Sequence, residues 1–213
     1  MNGIEELVNE INKLKNDPLV SRMVNSRIQE FRAVNKSDAI LLFKELCFCI
    51  LTANFNAEKS IHMQKIIDDG FINLPMEKLA QELQRLGHRY PMARAQYIVA
   101  AREFINLLPK IISNYIDSPL KLRDWLAEKI KGIGYKEASH FMRNIGIFDV
   151  AIIDYHILDL LARYKIIESA TKLTRRRYLE IENTLRDIAR EVKTSLGELD
   201  LYLWYLETKK ILK

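Results

Sequence analysis

An all-α fold is the class this sequence predicts, and three observations carry it. Apolar residues recur at helical spacing along most of the chain, and no segment alternates apolar and polar residues for long. Asp-Pro, Ser-Pro and capping-box patterns punctuate it where helices would start. The stretch Lys131-Gly132-Ile133-Gly134-Tyr135-Lys136 reads as the end of one helix, a tight turn and the start of another.

The elements follow in order. Ile4, Leu7, Val8, Ile11 and Leu14 line one face of a first helix. Asp17-Pro18 is a cap and first residue for a second, running to about Phe31. Val34-Asn35-Lys36-Ser37 is a polar break with Ser37 as the expected N-cap. Ser37 to Asn54 is the most hydrophobic segment and belongs at the centre of a helical lobe. Asn56 caps a helix ending near Gly70, Pro75 opens one ending at Gly87, and Pro91 opens one running to about Leu108. Ser118-Pro119 leads into Leu120 to Ile130 and the glycine turn. Thr174 to Glu191 is a basic helix with Arg175, Arg176 and Arg177 in its first turn. Ser195 to Glu198 is a capping box for a last helix with a Leu199, Leu203 and Leu206 core stripe.

Composition bounds the function. With 213 residues, 48% of them hydrophobic, the chain can bury a sizeable core, as one large helical domain or as two lobes sharing a cleft. The formal net charge of +5 favours an acidic partner such as nucleic acid. Cys47 and Cys49, the two cysteines, read as buried thiols of a reducing compartment and exclude a four-cysteine iron–sulfur cluster. The acidic start lacks the apolar core of a signal peptide, and Lys44 and Glu45 interrupt the longest apolar stretch. A soluble, intracellular protein with no membrane partner is expected.

The turn carries the chemistry. Gly132 and Gly134 can take positive φ, and without side chains they let a phosphate backbone approach the peptide N–H groups. Lys136 then falls in the first turn of the second helix, and Asp154 follows eighteen residues later. A lysine and a carboxylate behind a DNA-binding hairpin suggest amine attack on a sugar carbon. The same turn also joins helices in proteins with no such chemistry, where the lysine is a solvated charge.

Five stretches resemble the helix-hairpin-helix base-excision DNA glycosylases, and within them the compact 8-oxoguanine DNA glycosylase/AP lyases: Glu45 to Phe55, Lys131 to Gly146, Asp149 to Leu158, Tyr178 to Arg186, and Glu198 to Lys213. The resemblance implies an all-α helix-hairpin-helix glycosylase fold. Its lobes would be about 1–35 plus 155–213, and about 36–150 with the hairpin at about 120–146, with the active site in the cleft between them. It implies that Lys136 attacks C1′ of the damaged nucleoside, displaces the base, forms a Schiff base and cuts the strand by β-elimination. The amine must be neutral to attack, which desolvation or the field of a helix N-terminus favours. Asp154 would stabilise the positive sugar as the base leaves, and its place before an apolar helical run also suits an N-cap.

The resemblance assigns further roles. His156 would contact the DNA backbone, together with Gly132 and Gly134. Asn54, with Asn56 second, would fill the gap left by the flipped nucleotide. Trp204 would stack on the base, and Lys213, nine residues later, would read it through the main-chain carboxylate. An acceptor opposite N7–H favours 8-oxoguanine, because guanine has a lone pair there. Trp204 lies off the leucine stripe, which permits it to face a cleft; on spacing alone a core tryptophan and a frayed basic tail are the favoured reading. The implied partner is double-stranded DNA containing oxidised guanine, met by a monomer. No redox or nucleotide cofactor and no side-chain metal site is implied, although main-chain carbonyls of such hairpins often hold a structural cation. Arg89, Arg94 and Arg175 to Arg177 are either phosphate ligands or a solvated face. Two other readings stay open: the same chemistry on another oxidised base, and a noncatalytic helix-hairpin-helix DNA-binding module.

Overall fold

The computed structural model describes residues 2–168 and 173–213, and among them there are helices and no strand. The chain divides into two compact units, Val34–Ile145 and a second built from Met1–Ala33 with Gly146–Lys213.

The chain-end unit contains α1 (Gly3–Asn16) and α2 (Pro18–Arg32). Asn2 and Glu5 form a capping box on α1, and Asp17 accepts the Leu19 and Val20 N–H groups to cap α2. The central unit runs through α3 (Ala39–Thr52), α4 (Ala57–Ile67), α5 (Gly70–Asn73), α6 (Met76–Arg85) and α7 (Pro91–Ala101). A 3-10 stretch (Arg102–Leu107) leads to α8 (Leu108–Tyr115), α9 (Pro119–Lys129) and α10 (Tyr135–Asn144). The chain-end unit resumes with α11 (Tyr155–Arg163), α12 (Arg175–Glu191) and α13 (Leu196–Thr208).

As its composition predicts, α3 is the axis of the central unit. Leu42, Phe43 and every residue from Leu46 to Leu51 are fully buried, and α4, α7, α8 and α10 pack around the helix. Its one buried-side carboxylate is satisfied: Asn144 Nδ2 donates to Glu45 Oε1 at 2.6 Å, and Gln64 donates to Glu45 Oε2 at 3.3 Å. Burial pushes the Cys47 thiol well above its ordinary pKa, so it is an inert core residue.

Several expected boundaries shift. Asp38, not Ser37, caps α3 by accepting the Leu41 N–H at 2.9 Å. The helix opened by Pro91 stops at Ala101, where a 3-10 stretch runs to Leu107 and Pro109 stands in the first turn of α8. The boundary expected near residue 150 falls at Gly146, and the residues from there on group with the chain ends. Their bonds explain this: Gly197 N–H donates to the Phe148 carbonyl at 3.0 Å, and Ala151 N–H to Glu182 at 2.7 Å.

The last helix is the axis of the chain-end unit, in contact with α1, α2, α11 and α12. It therefore buries Leu199, Leu201, Tyr202 and Leu203 around much of its circumference, rather than one leucine stripe, and Leu206 is only half-buried. Among the described residues no helix is long and apolar enough to cross a membrane.

Candidate active site

The hairpin joins α9 to α10 and is fixed from inside. Ile133 N–H donates to the Ile130 carbonyl at 3.2 Å, and both side chains are buried. Arg123, 1% exposed, sets its guanidinium 4.7 Å from the Tyr135 ring, and the Tyr135 hydroxyl donates to Asp124 across the turn. Gly132 has φ +88°, and a Cβ there would lie 2.4 Å from Cδ2 of Tyr97. That position needs glycine twice over, for its backbone and for its contact.

Gly134 differs from the expectation. Its φ is −99° and ψ −171°, extended backbone open to any residue. It is the N-cap of α10, and its N–H donates to Glu137 Oε2 at 3.1 Å. A Cβ would sit 3.1 Å from that same oxygen, so glycine here preserves the Glu137 contact.

Lys136 occupies the second position of α10, and its side chain is 22% exposed. Its Nζ lies 3.6 Å from Glu137 Oε1. One carboxylate thus accepts the Gly134 N–H through Oε2 and stands at ion-pair distance from the Lys136 amine through Oε1. Nothing in the Glu137 side chain's spacing distinguished it from an ordinary capping-box glutamate.

Asp154 belongs to the chain-end unit. It is the N-cap of α11, with Oδ1 accepting the Ile157 N–H at 3.0 Å, which leaves the second oxygen outside the cap. The extended segment before it is held by α12. Glu182 Oε1 accepts the Ala151 N–H at 2.7 Å; Tyr178 donates to the Ala151 carbonyl at 2.7 Å and accepts from Ile153 N–H at 3.3 Å. These two side chains set the register in which Asp154 leaves the segment, and sequence reasoning missed them.

The same unit brings His156 and Trp204 together. Their rings meet edge to face with centroids 5.0 Å apart, and Tyr155, 67% exposed, lies 3.9 Å from His156 on the other side. The Trp204 indole N–H is buried and has no hydrogen-bond partner among the described residues. Beyond α13, Lys209 turns the chain into the left-handed region at φ 58°, and Ile211 is buried. The tail to Lys213 is therefore anchored rather than frayed, and Lys213 itself is half-buried.

Asn54 is exposed, at φ 53° just past α3. Its backbone gives it the left-handed position that ends a helix, and its side chain is left to solvent. Asn56 caps α4 by accepting the Lys59 N–H at 2.9 Å. Arg94 is no free phosphate ligand: it is 8% exposed, and its Nη2 donates to the Ala53 carbonyl. Burial pushes its pKa down, with Tyr97, Glu137 and Tyr90 acting the other way. Arg176 and Arg177 pair with Glu180 on an open helix face.

Among the described residues no three His, Cys, Asp or Glu side chains converge as metal ligands. A cation at the hairpin would take main-chain carbonyls, of which Ile130's already accepts from Ile133.

Known proteins resemble this chain along nearly its whole length. A family model described as 8-oxoguanine DNA glycosylase matches residues 24–194. The 8-oxoguanine DNA glycosylase/AP lyase of Korarchaeum cryptofilum is 51% identical over 212 residues, 99% of this chain and 100% of that protein. The crystal structure of Methanocaldococcus jannaschii 8-oxoguanine glycosylase/lyase in complex with a 15mer DNA containing 8-oxoguanine superposes with a TM-score of 0.93 at 52% identity, over 98% of this chain and 100% of that one. That of the 8-oxoguanine DNA glycosylase of Thermotoga maritima gives 0.91 at 41% identity, over 99% and 100%. With the family model matching residues 24–194 and the likeness to relatives covering nearly the whole chain, the chain belongs to the helix-hairpin-helix 8-oxoguanine DNA glycosylase family.

Proposed function

We propose that this protein excises 8-oxoguanine from double-stranded DNA and cuts the strand at the resulting abasic site, using Lys136 as nucleophile. The observation that carries the reading is the placement of Lys136: a largely buried primary amine in the first turn behind a rigid two-glycine hairpin. Family membership adds the substrate class, since the relatives named above are 8-oxoguanine DNA glycosylase/AP lyases.

The steps follow from the side chains. The extruded nucleotide presents C1′ to the neutral Lys136 amine. The N–C1′ bond forms as the glycosidic bond breaks, and the base leaves with its electron pair and takes up a proton. The Asp154 carboxylate offsets the positive charge that grows on the sugar. Opening of the sugar gives an imine on Lys136; loss of a C2′ proton then expels the 3′ phosphate. Hydrolysis of the imine frees the enzyme.

The remaining roles are proposed on the same footing. Trp204, held edge-on by His156, offers a face for the base. A main-chain acceptor at Lys213 takes the N7–H of 8-oxoguanine, and guanine, lacking that hydrogen, leaves it unmatched. Gly132, Gly134 and His156 meet the phosphate backbone, and Asn54 enters the gap. A cation held by turn carbonyls would bridge hairpin and phosphate. The protein acts as a monomer, within the cell and at the nucleoid.

Strand cleavage on a duplex with one 8-oxoguanine tests the reading. Wild type is expected to nick at the lesion, and Lys136→Gln to bind the duplex without nicking. Equal nicking by both proteins overturns the assignment.

A further inference from the structure

The loop after α3 is held more firmly than a four-residue connection requires. Helices end with carbonyls that lack intrahelical partners, and these usually face water. Here two are claimed by buried side chains from distant sequence. His88 Nε2 bonds the Leu51 carbonyl at 3.0 Å, and Arg94 Nη2 donates to the Ala53 carbonyl. His88 is 4% exposed and Arg94 8% exposed. The Tyr90 N–H donates to His88 Nδ1 at 3.0 Å, so the proton sits on Nε2 and points at Leu51. Phe55, inside the loop, stacks on the His88 ring at 4.1 Å with a 28° tilt.

The same side chains reach the hairpin. The Arg94 guanidinium lies 5.7 Å from the Tyr90 ring centroid and 5.8 Å from that of Tyr97, one helical turn further along α7. Tyr97 in turn covers Gly132, and the Lys131 Nζ lies 5.8 Å from its ring. A continuous set of packed groups therefore joins the loop carrying Asn54 to the hairpin behind which Lys136 stands.

We propose that His88 and Arg94 are positioning residues for base extrusion: they fix the Asn54 loop in register with the hairpin, so that its side chain fills the gap as the nucleotide leaves. This rests on the reading of Asn54 as the gap-filling residue. Extrusion costs stacking and pairing, and a loop already held in its working position adds no ordering cost to that. A loop left to fray would add that cost, and the loss would fall on extrusion alone. A ready-made abasic site has no base to unstack or unpair, so its sugar reaches Lys136 with little dependence on the clamp.

That difference supplies the test. Single-turnover rates are measured on two duplexes, one with 8-oxoguanine and one with a preformed abasic site. A neighbouring 2-aminopurine reports extrusion. His88→Leu removes both ring hydrogen bonds. His88→Gln keeps an N–H for Leu51 and an acceptor for Tyr90. Arg94→Met keeps the stem between the tyrosines without the donor.

His88→Leu and Arg94→Met are expected to slow excision of 8-oxoguanine about tenfold to a hundredfold, as a misplacement near 1 Å does. They should lower the 2-aminopurine signal and leave abasic-site cleavage within about twofold, the scale of ordinary surface substitutions. His88→Gln should recover most of the excision rate. Equal loss on both duplexes, no loss on either, or no recovery by His88→Gln overturns the proposal. Asn54→Gly, which keeps the left-handed backbone, separates the two readings. If it excises normally while His88→Leu does not, Asn54 is not the gap-filling residue and the clamp acts through a neighbour. If wild type excises no 8-oxoguanine but cleaves the abasic duplex, the substrate assignment fails before the variants are compared.

Discussion

Adding one methyl group to the hairpin, by Gly132→Ala, tests whether the turn is built around its glycine. At φ +88° an L side chain is strained, and the new Cβ would stand 2.4 Å from Cδ2 and 2.9 Å from Cγ of Tyr97. The left-handed backbone costs about 1–2 kcal/mol, forcing the ring aside costs about 1–3, and the stiffer unfolded chain returns about 0.4–1. The net expectation is a destabilisation of about 1.5–4 kcal/mol, short of the 5–15 or so that holds an average domain together. Tyr97→Ala removes the obstructing ring, so in that background Gly132→Ala should lose only the backbone part. Urea denaturation of wild type, both single variants and the double variant closes the cycle. A coupling of about 1–3 kcal/mol is expected, the size of the ring displacement. Equal costs in the two backgrounds, within about 0.5 kcal/mol, would refute the claim that Tyr97 and Gly132 are fitted to each other.

Other outcomes follow from the same geometry. Asp154→Asn keeps an oxygen for the Ile157 N–H and should melt within a few degrees of wild type while losing excision; Asp154→Ala should lose excision and about 1 kcal/mol of stability as well. Excision retained by Asp154→Asn would mean the residue is a cap alone. Burial lowers the His88 pKa below its ordinary 6.5, with its bond to Leu51 opposing and Arg94 assisting, so the unfolded chain binds the proton more readily. Stability from neutral His88 is therefore fully present above about pH 6.5 and is lost as pH falls through the lowered value. His88→Gln, which cannot titrate, should flatten the melting temperature between pH 7.5 and 5; an unchanged slope rejects this. Deleting Lys213 should cut the preference for 8-oxoguanine over guanine more than it cuts duplex affinity, with unchanged preference as the contrary result.

The helical ends were legible because they are local. Pro18, Pro91 and Pro119 each open a helix where the sequence has them, and Asp17, Thr174 and Ser195 cap by side-chain bonds to residues within three positions. Ser37 and Asp38 are both good caps and adjacent, and only the turn's geometry selects the aspartate. Lys136 and Asp154 could be picked out because the motif around them is dense. The groups that hold the segments around the candidate site residues could not. Glu137 looks like an ordinary capping glutamate, Glu182 and Tyr178 act on residues about thirty positions away, and His88 and Arg94 act on carbonyls thirty-seven and forty-one positions away. A carbonyl ligand has no signature of its own, so contacts of this kind appear only when the chain is folded. Gly134 shows the converse: its sequence suggested a strained turn, and the fold uses its lack of a side chain instead.

The most direct test is borohydride trapping on three duplexes, carrying 8-oxoguanine, a preformed abasic site or undamaged guanine. Wild type should give a reduced covalent complex on the first two and little on the third. Lys136→Gln should give none, with duplex binding retained. A complex formed by Lys136→Gln as readily as by wild type, or none from wild type on the lesion duplex, would contradict the account.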